Sequence, residues 1–342
     1  MRKELVKFTN KEVEYIFDGS FTELPLTHQR DKIIIVTDEN LYKYHADKME
    51  GFAVIKLPAG EGFKQQRTVD DIITQLLELQ ADKNSIIVGV GGGVVTDMAG
   101  YAASIYKRGV KLILVPTSIL AMVDAAIGGK NGVDVGPFKN MVGTIYQPEQ
   151  LIFDYSFLHT LPHEEWVNGF AEIIKHACIK DAHFFEMLVG KTLIDFKNDP
   201  TLLANLIEKN VAVKTGIVLS DEFETGERKL LNFGHTIGHA IENLYDLPHG
   251  HAVSIGMVAA ATISEQLSNF PAASKQRLIQ LLEQYHLPVH LSFDKEAIWD
   301  ILLMDKKREN NSMNFILLNS IGDAVVTPIP LVQLKDLIEQ CL

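Results

Sequence analysis

Residues 85–104 read SIIVGVGGGVVTDMAGYAAS, and this stretch decides the predicted fold of the first half of the chain. A β-branched run predicts a strand that ends at Val90, three glycines from Gly91 predict a turn without side chains, and a helix is expected from Val94. Backbone N–H groups at such a helix start can bind a pyrophosphate, because glycine lets an anion approach closely. The spacing departs from the usual dinucleotide fingerprint, since Val94 stands where a third glycine is expected. A nucleotide site and a plain tight turn therefore both stay open.

Further strands and helices alternate on both sides of this stretch. Residues 32–42, KIIIVTDENLY, predict a strand and then a helix, and residues 68–84 have apolar positions at helical spacing. Residues 110–118, VKLILVPTS, form a near-continuous apolar run, which is typical of a parallel sheet covered on both faces. The sequence predicts an α/β Rossmann-like domain with a doubly wound parallel sheet over 1–157, and a mainly α-helical domain over 158–342.

Composition limits the class of protein. The chain has 342 residues, 46% apolar and 22% charged, as expected for a globular protein of about two domains. A formal net charge of −12 argues against nucleic-acid binding. With Cys178 and Cys341 as the only cysteines, no disulfide framework is expected, and the cytoplasm is the expected location. The N-terminus has no apolar run of signal-peptide type and no run reaches membrane-span length, so no membrane association is expected.

Four of the twelve histidines fall within residues 228–257, RKLLNFGHTIGHAIENLYDLPHGHAVSIGM: His235, His239, His249 and His251. The first two are four residues apart and share a helix face, which suits a metal ion. The metalloprotease interpretation fails, because Thr236 stands where that motif has glutamate. A catalytic zinc takes three protein ligands, and Glu172 or His176 in FAEIIKHA could supply a further one. Spacing alone leaves the choice of ligands open.

Polar residues at predicted strand ends and loops are further candidates. Lys130 follows two glycines, and Lys139 and Asn140 follow Gly-Pro-Phe, so these side chains are placed to meet an anion, although solvated lysines are the common alternative. Asp124 lies in the apolar stretch ILAMVDAAIGG, where it either starts a helix or is buried with a partner. Asp38 ends a strand, where a ribose contact is possible and a helix cap is the preferred interpretation.

Taken in order, the motifs resemble the sugar-phosphate cyclase family to which 3-dehydroquinate synthases belong. The matching pieces are VTDENLY, GEGFK, GGGVVTDMAGYAASIYKRG, VPTSILAMVDAAIGGKNGVD, KNMVGTIYQP, NGFAEIIKHA, RKLLNFGHTIGHAIE, HGHAVSIGM and MDKK, within residues 31–307. Two departures are Ser118, where threonine is usual, and Phe157, where threonine is common.

The resemblance implies an enzyme that converts 3-deoxy-D-arabino-heptulosonate 7-phosphate to 3-dehydroquinate and phosphate by transient oxidation, elimination, reduction and aldol closure. It implies NAD and Zn²⁺ or Co²⁺ as cofactors and a homodimer. The implied zinc ligands are Glu172, His235 and His251, with His249 outside the first shell.

The resemblance also implies two further sets of residues. The implied NAD contacts are Asp38, Glu61, Lys64, Gly92, Gly93, Asp97, Thr117, Ser118, Asp124, Lys130, Lys139, Thr160 and Asn168. The implied substrate and catalytic residues are Arg108, Asp124, Lys130, Lys139, Asn140, Lys175, Lys214, Glu224, Arg228, Asn232, His239, Lys306 and Lys307. Among these, Lys214 and Arg228 match a carboxylate clamp, Lys130, Asn140 and Lys306 or Lys307 match phosphate contacts, and Arg108 is expected to reach across from a partner subunit.

Two rival hypotheses remain. One is a sister cyclase acting on glucose 6-phosphate or sedoheptulose 7-phosphate, which lack the carboxylate that Lys214 and Arg228 would hold. The other is a regulator that binds NAD or metal without catalysis, and the number of charged residues expected in one cleft argues against it.

Overall fold

The computed structural model describes residues 1–136, 138–304, 308–309 and 311–341. It contains two compact units. The first unit is Met1–Glu165 with Ala204–Val211, and the second is Trp166–Leu203 with Ala212–Leu342. The domain division after Phe157 that was inferred from the sequence stays a prediction. No helix among the described residues is both long and apolar enough to cross a membrane.

The strands of the described chain are β1 (Arg2–Lys7), β2 (Glu12–Phe17), β3 (Ile33–Asp38), β4 (Ala53–Leu57), β5 (Ile86–Gly91), β6 (Lys111–Pro116), β7 (Lys130–Val135), β8 (Phe138–Ile145), β9 (Gln150–Phe153), β10 (Arg308–Glu309), β11 (Ser312–Ser320) and β12 (Asp323–Pro330). A seven-stranded sheet has the order β1-β2-β9-β6-β5-β3-β4. Its strands pair in parallel, except that β1 is antiparallel to β2. The predicted α/β domain with a mostly parallel sheet is therefore confirmed.

The core of this unit lies on the central strands. Ile35, Val88 and Val115 come from β3, β5 and β6 and are fully buried in one apolar cluster. These strands are apolar at nearly every position, because a parallel sheet flanked on both faces buries both sets of side chains. The predicted turn after β5 is confirmed, and the helix begins one residue earlier than expected, at Gly93.

The helices of the described chain are α1 (Glu39–His45), α2 (Gln66–Glu78), α3 (Gly93–Ile105), α4 (His163–Lys180), α5 (Ala182–Val189), α6 (Leu193–Asn198), α7 (Pro200–Ser220), α8 (His235–Tyr245), α9 (His249–Leu267), α10 (Ala272–Gln284), α11 (Lys295–Met304) and α12 (Leu331–Cys341). The second unit is mainly helical, as predicted, and carries the three-stranded sheet β10-β11-β12. Strands β11 and β12 form a hairpin that turns near Gly322, where Ser320 pairs with Asp323.

Two elements of the second unit position the site residues described next. Helix α4 is buried at every position from Trp166 to Ile179. Helices α8 and α9 pack against each other at glycines: a Cβ on Gly238 would lie 3.0 Å from the Ala252 carbonyl oxygen. This close approach brings the histidine-bearing first turns of both helices near one another.

One segment of the first unit differs from expectation. Lys130, Lys139 and Asn140 were placed on loops, but β7 and β8 pair as an antiparallel ribbon that carries all three. The physical reason is that the backbone N–H and carbonyl groups of the two strands form hydrogen bonds with each other across the ribbon.

Candidate active site

Glu172 lies at the centre of a polar cluster in the second unit. It is fully buried on α4 and forms an ion pair with Lys175, one turn further along and also buried. Burial by itself raises the pKa of a carboxyl group, but Lys175 and His235 outweigh burial and hold the Glu172 pKa well below its ordinary value. Glu172 is therefore an ionised carboxylate inside the protein.

Two histidines face one oxygen of this carboxylate. His235 and His249 are the first residues of α8 and α9, and their Nε2 atoms lie 3.4 Å and 3.2 Å from Glu172 Oε1. The ligand atoms of all three residues lie within 4.8 Å of one another. Gly234 allows this approach, because its φ of +79° is in the left-handed region and Met257 leaves no room for a side chain there.

The third residue of this group differs from the expectation. His251 was expected beside Glu172 and His235, but the structure places His249 there, and His251 is in none of the potential metal-binding groups of the described residues. The physical reason is helix geometry, since successive residues of an α-helix are rotated by about 100°. His251 follows His249 by two positions on α9 and therefore points to nearly the opposite side of that helix.

The histidine pKa values show what this pocket favours. Burial, followed by the charge of Lys175, lowers the pKa of His235 to about 4, so His235 is neutral at pH 7. Burial also lowers the pKa of His249, but its hydrogen bonds and charge interactions with Glu172 and Glu242 prevail and raise it to about 10. The two carboxylates thus favour the positively charged form of His249.

The second nitrogen of each imidazole is also held. His235 Nδ1 lies 3.2 Å from the Phe233 carbonyl oxygen, which can only accept, so Nδ1 donates and the Nε2 lone pair points toward Glu172. His249 Nδ1 lies 3.2 Å from Glu242 Oε2. Such outer partners fix the orientation of histidine ligands in metal sites. One carboxylate and two imidazoles are a donor set that fits Zn²⁺ or Co²⁺.

Two further expected residues border this cluster. The His239 ring centroid lies 5.0 Å from that of His235 and 6.2 Å from that of His249, so His239 is next to the group. Asn168, expected at the cofactor, accepts a hydrogen bond from the backbone N–H of Gly250. Asn168 therefore fastens the first turn of α9, which carries His249.

The segment between α7 and α8 carries three of the expected substrate residues. Asn232 Nδ2 donates to Glu224 Oε1 at 2.9 Å, so two of them contact each other. Arg228 is buried, and its guanidinium donates to the Glu222 carbonyl. Asp221 accepts backbone N–H groups of Thr225, Gly226 and Arg228, and these hydrogen bonds lower its pKa to about 2 although burial opposes the shift. Lys214, on α7, is also buried.

A second polar cluster lies in the first unit. Lys64, one of the implied NAD contacts, is buried, and its Nζ lies 2.6 Å from Asp97 Oδ2 and 2.7 Å from Asn140 Oδ1. Burial lowers the Lys64 pKa, whereas the charges of Asp97 and Glu61 raise it, and the net shift is upward. Lys139 lies 3.5 Å from Glu61 and joins the same cluster.

The glycine turn after β5 and its neighbours carry implied NAD contacts, and a nucleotide site and a plain turn both stay open there. Gly92 precedes the first helical residue of α3, Gly93, and a Cβ on Gly92 would lie 3.6 Å from Ser118 Oγ. Thr117 is buried and its N–H donates to the Gly91 carbonyl oxygen at 2.9 Å. Ser118 Oγ accepts a hydrogen bond from the Ala121 N–H at 3.2 Å. Serine therefore keeps the hydroxyl group that threonine usually provides at this position in the family.

Other expected residues lie apart from these contacts. Asp38 caps α1 by accepting from the Leu41 N–H at 2.9 Å, as the preferred interpretation expected. Thr160 Oγ1 lies 2.7 Å from His45 Nε2. Phe157, where threonine is common in the family, is buried.

Lys130 and Arg108 are exposed, and Asp124 is half-buried in a π-helical turn, Ala121–Ala125. Lys306 and Lys307 lie outside the described residues.

The histidine spacing had left His249 open as a ligand, and the resemblance set it aside. The sequence did not single out Glu242 or Asp134, and Asp134 contacts Lys139 and Asn140. A signal existed for Glu242, because it follows His235 by seven positions and therefore lies on the same helix face. No comparable periodic signal marks Asp134.

Solved structures of cyclases share this fold over the whole chain. A 2-epi-5-epi-valiolone synthase from Streptomyces hygroscopicus, solved with NAD⁺ and Zn²⁺, matches with a TM-score of 0.87 at 25% identity over 100% of this chain and 99% of that chain. A 2-deoxy-scyllo-inosose synthase, solved with carbaglucose-6-phosphate, NAD⁺ and Co²⁺, matches with a TM-score of 0.84 at 25% identity over 100% of both chains.

The sequence comparisons identify the family within that class. The family model for the 3-dehydroquinate synthase N-terminal region matches residues 54–168, and the model for its C-terminal region matches residues 169–308. A 3-dehydroquinate synthase from Campylobacter curvus is 37% identical over 94% of this chain and 94% of its own length. The chain belongs to the 3-dehydroquinate synthase family.

Proposed function

We propose that this protein is a 3-dehydroquinate synthase, a carbon–oxygen lyase that converts 3-deoxy-D-arabino-heptulosonate 7-phosphate to 3-dehydroquinate and phosphate. The observation that carries the proposal is the Glu172–His235–His249 group, with Glu172 and His235 buried and His249 half-buried, in a chain of this family. The ligand atoms of this carboxylate and two imidazoles lie within 4.8 Å of one another, and this donor set fits Zn²⁺ or Co²⁺. The arrangement is therefore what a cation-dependent enzyme requires.

We infer that NAD and Zn²⁺ or Co²⁺ are the cofactors, because related cyclases were solved with both and the donor set fits either metal. When bound, NAD would supply reversible hydride acceptance, and a divalent cation would make the substrate hydroxyl that is oxidised more acidic. Glu172, His235 and His249 would hold the cation. The turn at Gly92 and Gly93 would present its backbone N–H groups to the pyrophosphate.

The remaining residues bind and orient the substrate in this proposal. Lys130 and Asn140 contact its phosphate together with Lys139, the third anion candidate of this segment, and Lys214 and Arg228 hold its carboxylate, for which paired cations are suited. The Arg228 guanidinium also donates to the Glu222 carbonyl, which fixes its direction before substrate binds. Glu224 and Asn232 already share a hydrogen bond and are poised to take substrate hydroxyls together.

The proposal also covers the oligomeric state and the cellular location of the protein. A homodimer fits the exposed position of Arg108, which we propose reaches a partner's site. A cytoplasmic location fits the buried Cys178, which forms no disulfide.

The test is phosphate release from three substrates with NAD and Zn²⁺ or Co²⁺ present: the heptulosonate 7-phosphate, glucose 6-phosphate and sedoheptulose 7-phosphate. We expect phosphate release from the heptulosonate alone, and its loss after chelation of the metal. The favoured substrate follows from the relatives, because the Campylobacter curvus synthase is 37% identical whereas the sister cyclases are 25% identical. Preference for either sugar phosphate would refute the proposal.

A further inference from the structure

Asp134 is a residue that neither the sequence motifs nor the proposed chemistry assigns to a role. It lies on β7 and is half-buried, next to an irregularity in the β7–β8 pairing between Val133 and Val135. Such irregularities re-aim side chains that would otherwise follow the regular alternation of a strand. The residues re-aimed here belong to the proposed phosphate-binding segment of β8.

The Asp134 side chain contacts both residues of that segment. Its Oδ1 accepts from the backbone N–H of Asn140 at 2.7 Å, and its Oδ2 lies 3.5 Å from Lys139 Nζ. Asn140 has a φ of +54°, a conformation that side-chain-bearing residues rarely adopt. The hydrogen bond that the Asn140 N–H donates to Asp134 holds this backbone conformation and therefore the position from which the Asn140 side chain projects.

Asp134 also connects this segment to the cofactor-side cluster. Its backbone N–H donates to the Lys64 carbonyl oxygen at 2.8 Å, and Lys64 Nζ contacts both Asn140 Oδ1 and Asp97 Oδ2. A continuous chain of polar contacts therefore runs from Asp97 through Lys64 and Asn140 to Asp134 and Lys139. Side chains held by such networks keep one geometry before a ligand binds.

We propose that Asp134 is a positioning residue that orients Lys139 and Asn140 toward the substrate's phosphate. The proposal rests on the proposed function, in which these two side chains bind that phosphate. Asp134 itself is a carboxylate and would repel the phosphate, so it acts through its neighbours.

Two substitutions separate its two contacts. Asp134→Asn keeps an oxygen that can accept from the Asn140 N–H and removes the charge facing Lys139, whereas Asp134→Ala removes both. Asp82→Ala is the matched control, because Asp82 also accepts a backbone N–H, from Asn84 at 2.8 Å, and pairs with a lysine, Lys32 at 2.9 Å, elsewhere in the same unit.

The experiment measures the inhibition constant of inorganic phosphate, kcat and KM for the heptulosonate, NAD affinity and melting temperature on each holoenzyme. We expect Asp134→Ala to raise the phosphate inhibition constant and KM roughly tenfold or more, since bonds to charged groups are being lost or misdirected. Asp134→Asn should raise both roughly threefold to tenfold. NAD affinity should fall clearly less than phosphate affinity, because the Lys64–Asp97 contact is retained although Lys139 is also an implied NAD contact.

An unchanged or lower phosphate inhibition constant in Asp134→Asn would overturn the proposal, because the carboxylate would then only neutralise Lys139. An equal loss of NAD affinity, or the same kinetic changes in Asp82→Ala, would also overturn it, since these indicate a general structural defect. If Asp134→Ala does not fold, the phosphate inhibition constant of Asp134→Asn tests the proposal by itself. A wild-type protein that releases no phosphate from the heptulosonate refutes the proposed function instead, so the two failures are distinguishable.

Discussion

Replacing His249 and His251 one at a time with alanine tests the geometry of the proposed metal site directly. His249 Nε2 lies 3.2 Å from Glu172 Oε1, and His251 belongs to none of the potential metal-binding groups of the described residues. Structural zinc sites with four ligands bind with roughly 10–16 kcal/mol, so one ligand accounts for roughly 2.5–4 kcal/mol. Since about 1.4 kcal/mol is tenfold in affinity, His249→Ala should weaken metal binding by about two to three orders of magnitude.

The assay is competition for Zn²⁺ or Co²⁺ with a chelator of known affinity, followed by metal analysis of the dialysed protein. His251→Ala should keep a metal dissociation constant within about threefold of wild type, because its side chain points away from Glu172. Melting temperatures of both variants, measured with the metal removed, control for loss of folding. Wild-type metal affinity in His249→Ala, or an equal loss in His251→Ala, would refute the assignment of the third ligand.

Three further predictions follow from the contacts around the site. Glu242→Ala should weaken metal binding roughly tenfold to a hundredfold while melting changes little, because Glu242 orients His249 through Nδ1, and the same chelator competition measures it. The pKa of Asp221 is about 2 in the folded protein, against an ordinary value of 3.8. Ionised Asp221 therefore contributes its full stabilisation above about pH 4, and this contribution is lost as the pH falls toward 2. The free energies of unfolding of Asp221→Asn and wild type, measured with urea, should converge over that range. Arg228→Ala should lower kcat/KM on the heptulosonate roughly tenfold to a hundredfold per folded molecule, if the carboxylate contact is kept in the transition state. An unaltered kcat/KM with a lower melting temperature would mean that Arg228 only stabilises its loop.

Much of the fold is already encoded in local patterns. The apolar run and the glycines of residues 85–104 predict β5, the turn and α3, and the helix boundary differs from expectation by one residue. The Ile-Gly-Asp turn predicts the β11–β12 hairpin, which the structure contains. These elements depend on neighbours in sequence, namely side-chain periodicity and glycine conformation, so a single sequence is sufficient.

The candidate site was predictable in part. Glu172 and His235 were both expected at the metal, and the structure places them together. The β7–β8 ribbon was missed because its residues alternate weakly and carry several glycines, which suggest loops. The ribbon forms because the two strands pair with each other, and pairing between strands does not show in the periodicity of either one.

The sequence by itself determined that the first part of the chain alternates strands and helices and that the second part is mainly helical. It also determined the glycine turn and the set of histidines from which a metal site could be built. Only the tertiary structure decided that His249 rather than His251 faces Glu172, a residue 77 positions away in the chain. The physical reason is angular: one residue along a helix turns a side chain by about 100°, so the ligand depends on where α9 begins and how it packs on α8. The same holds for Asp134 and Asn140, whose contact depends on the irregular pairing of two strands rather than on either strand alone.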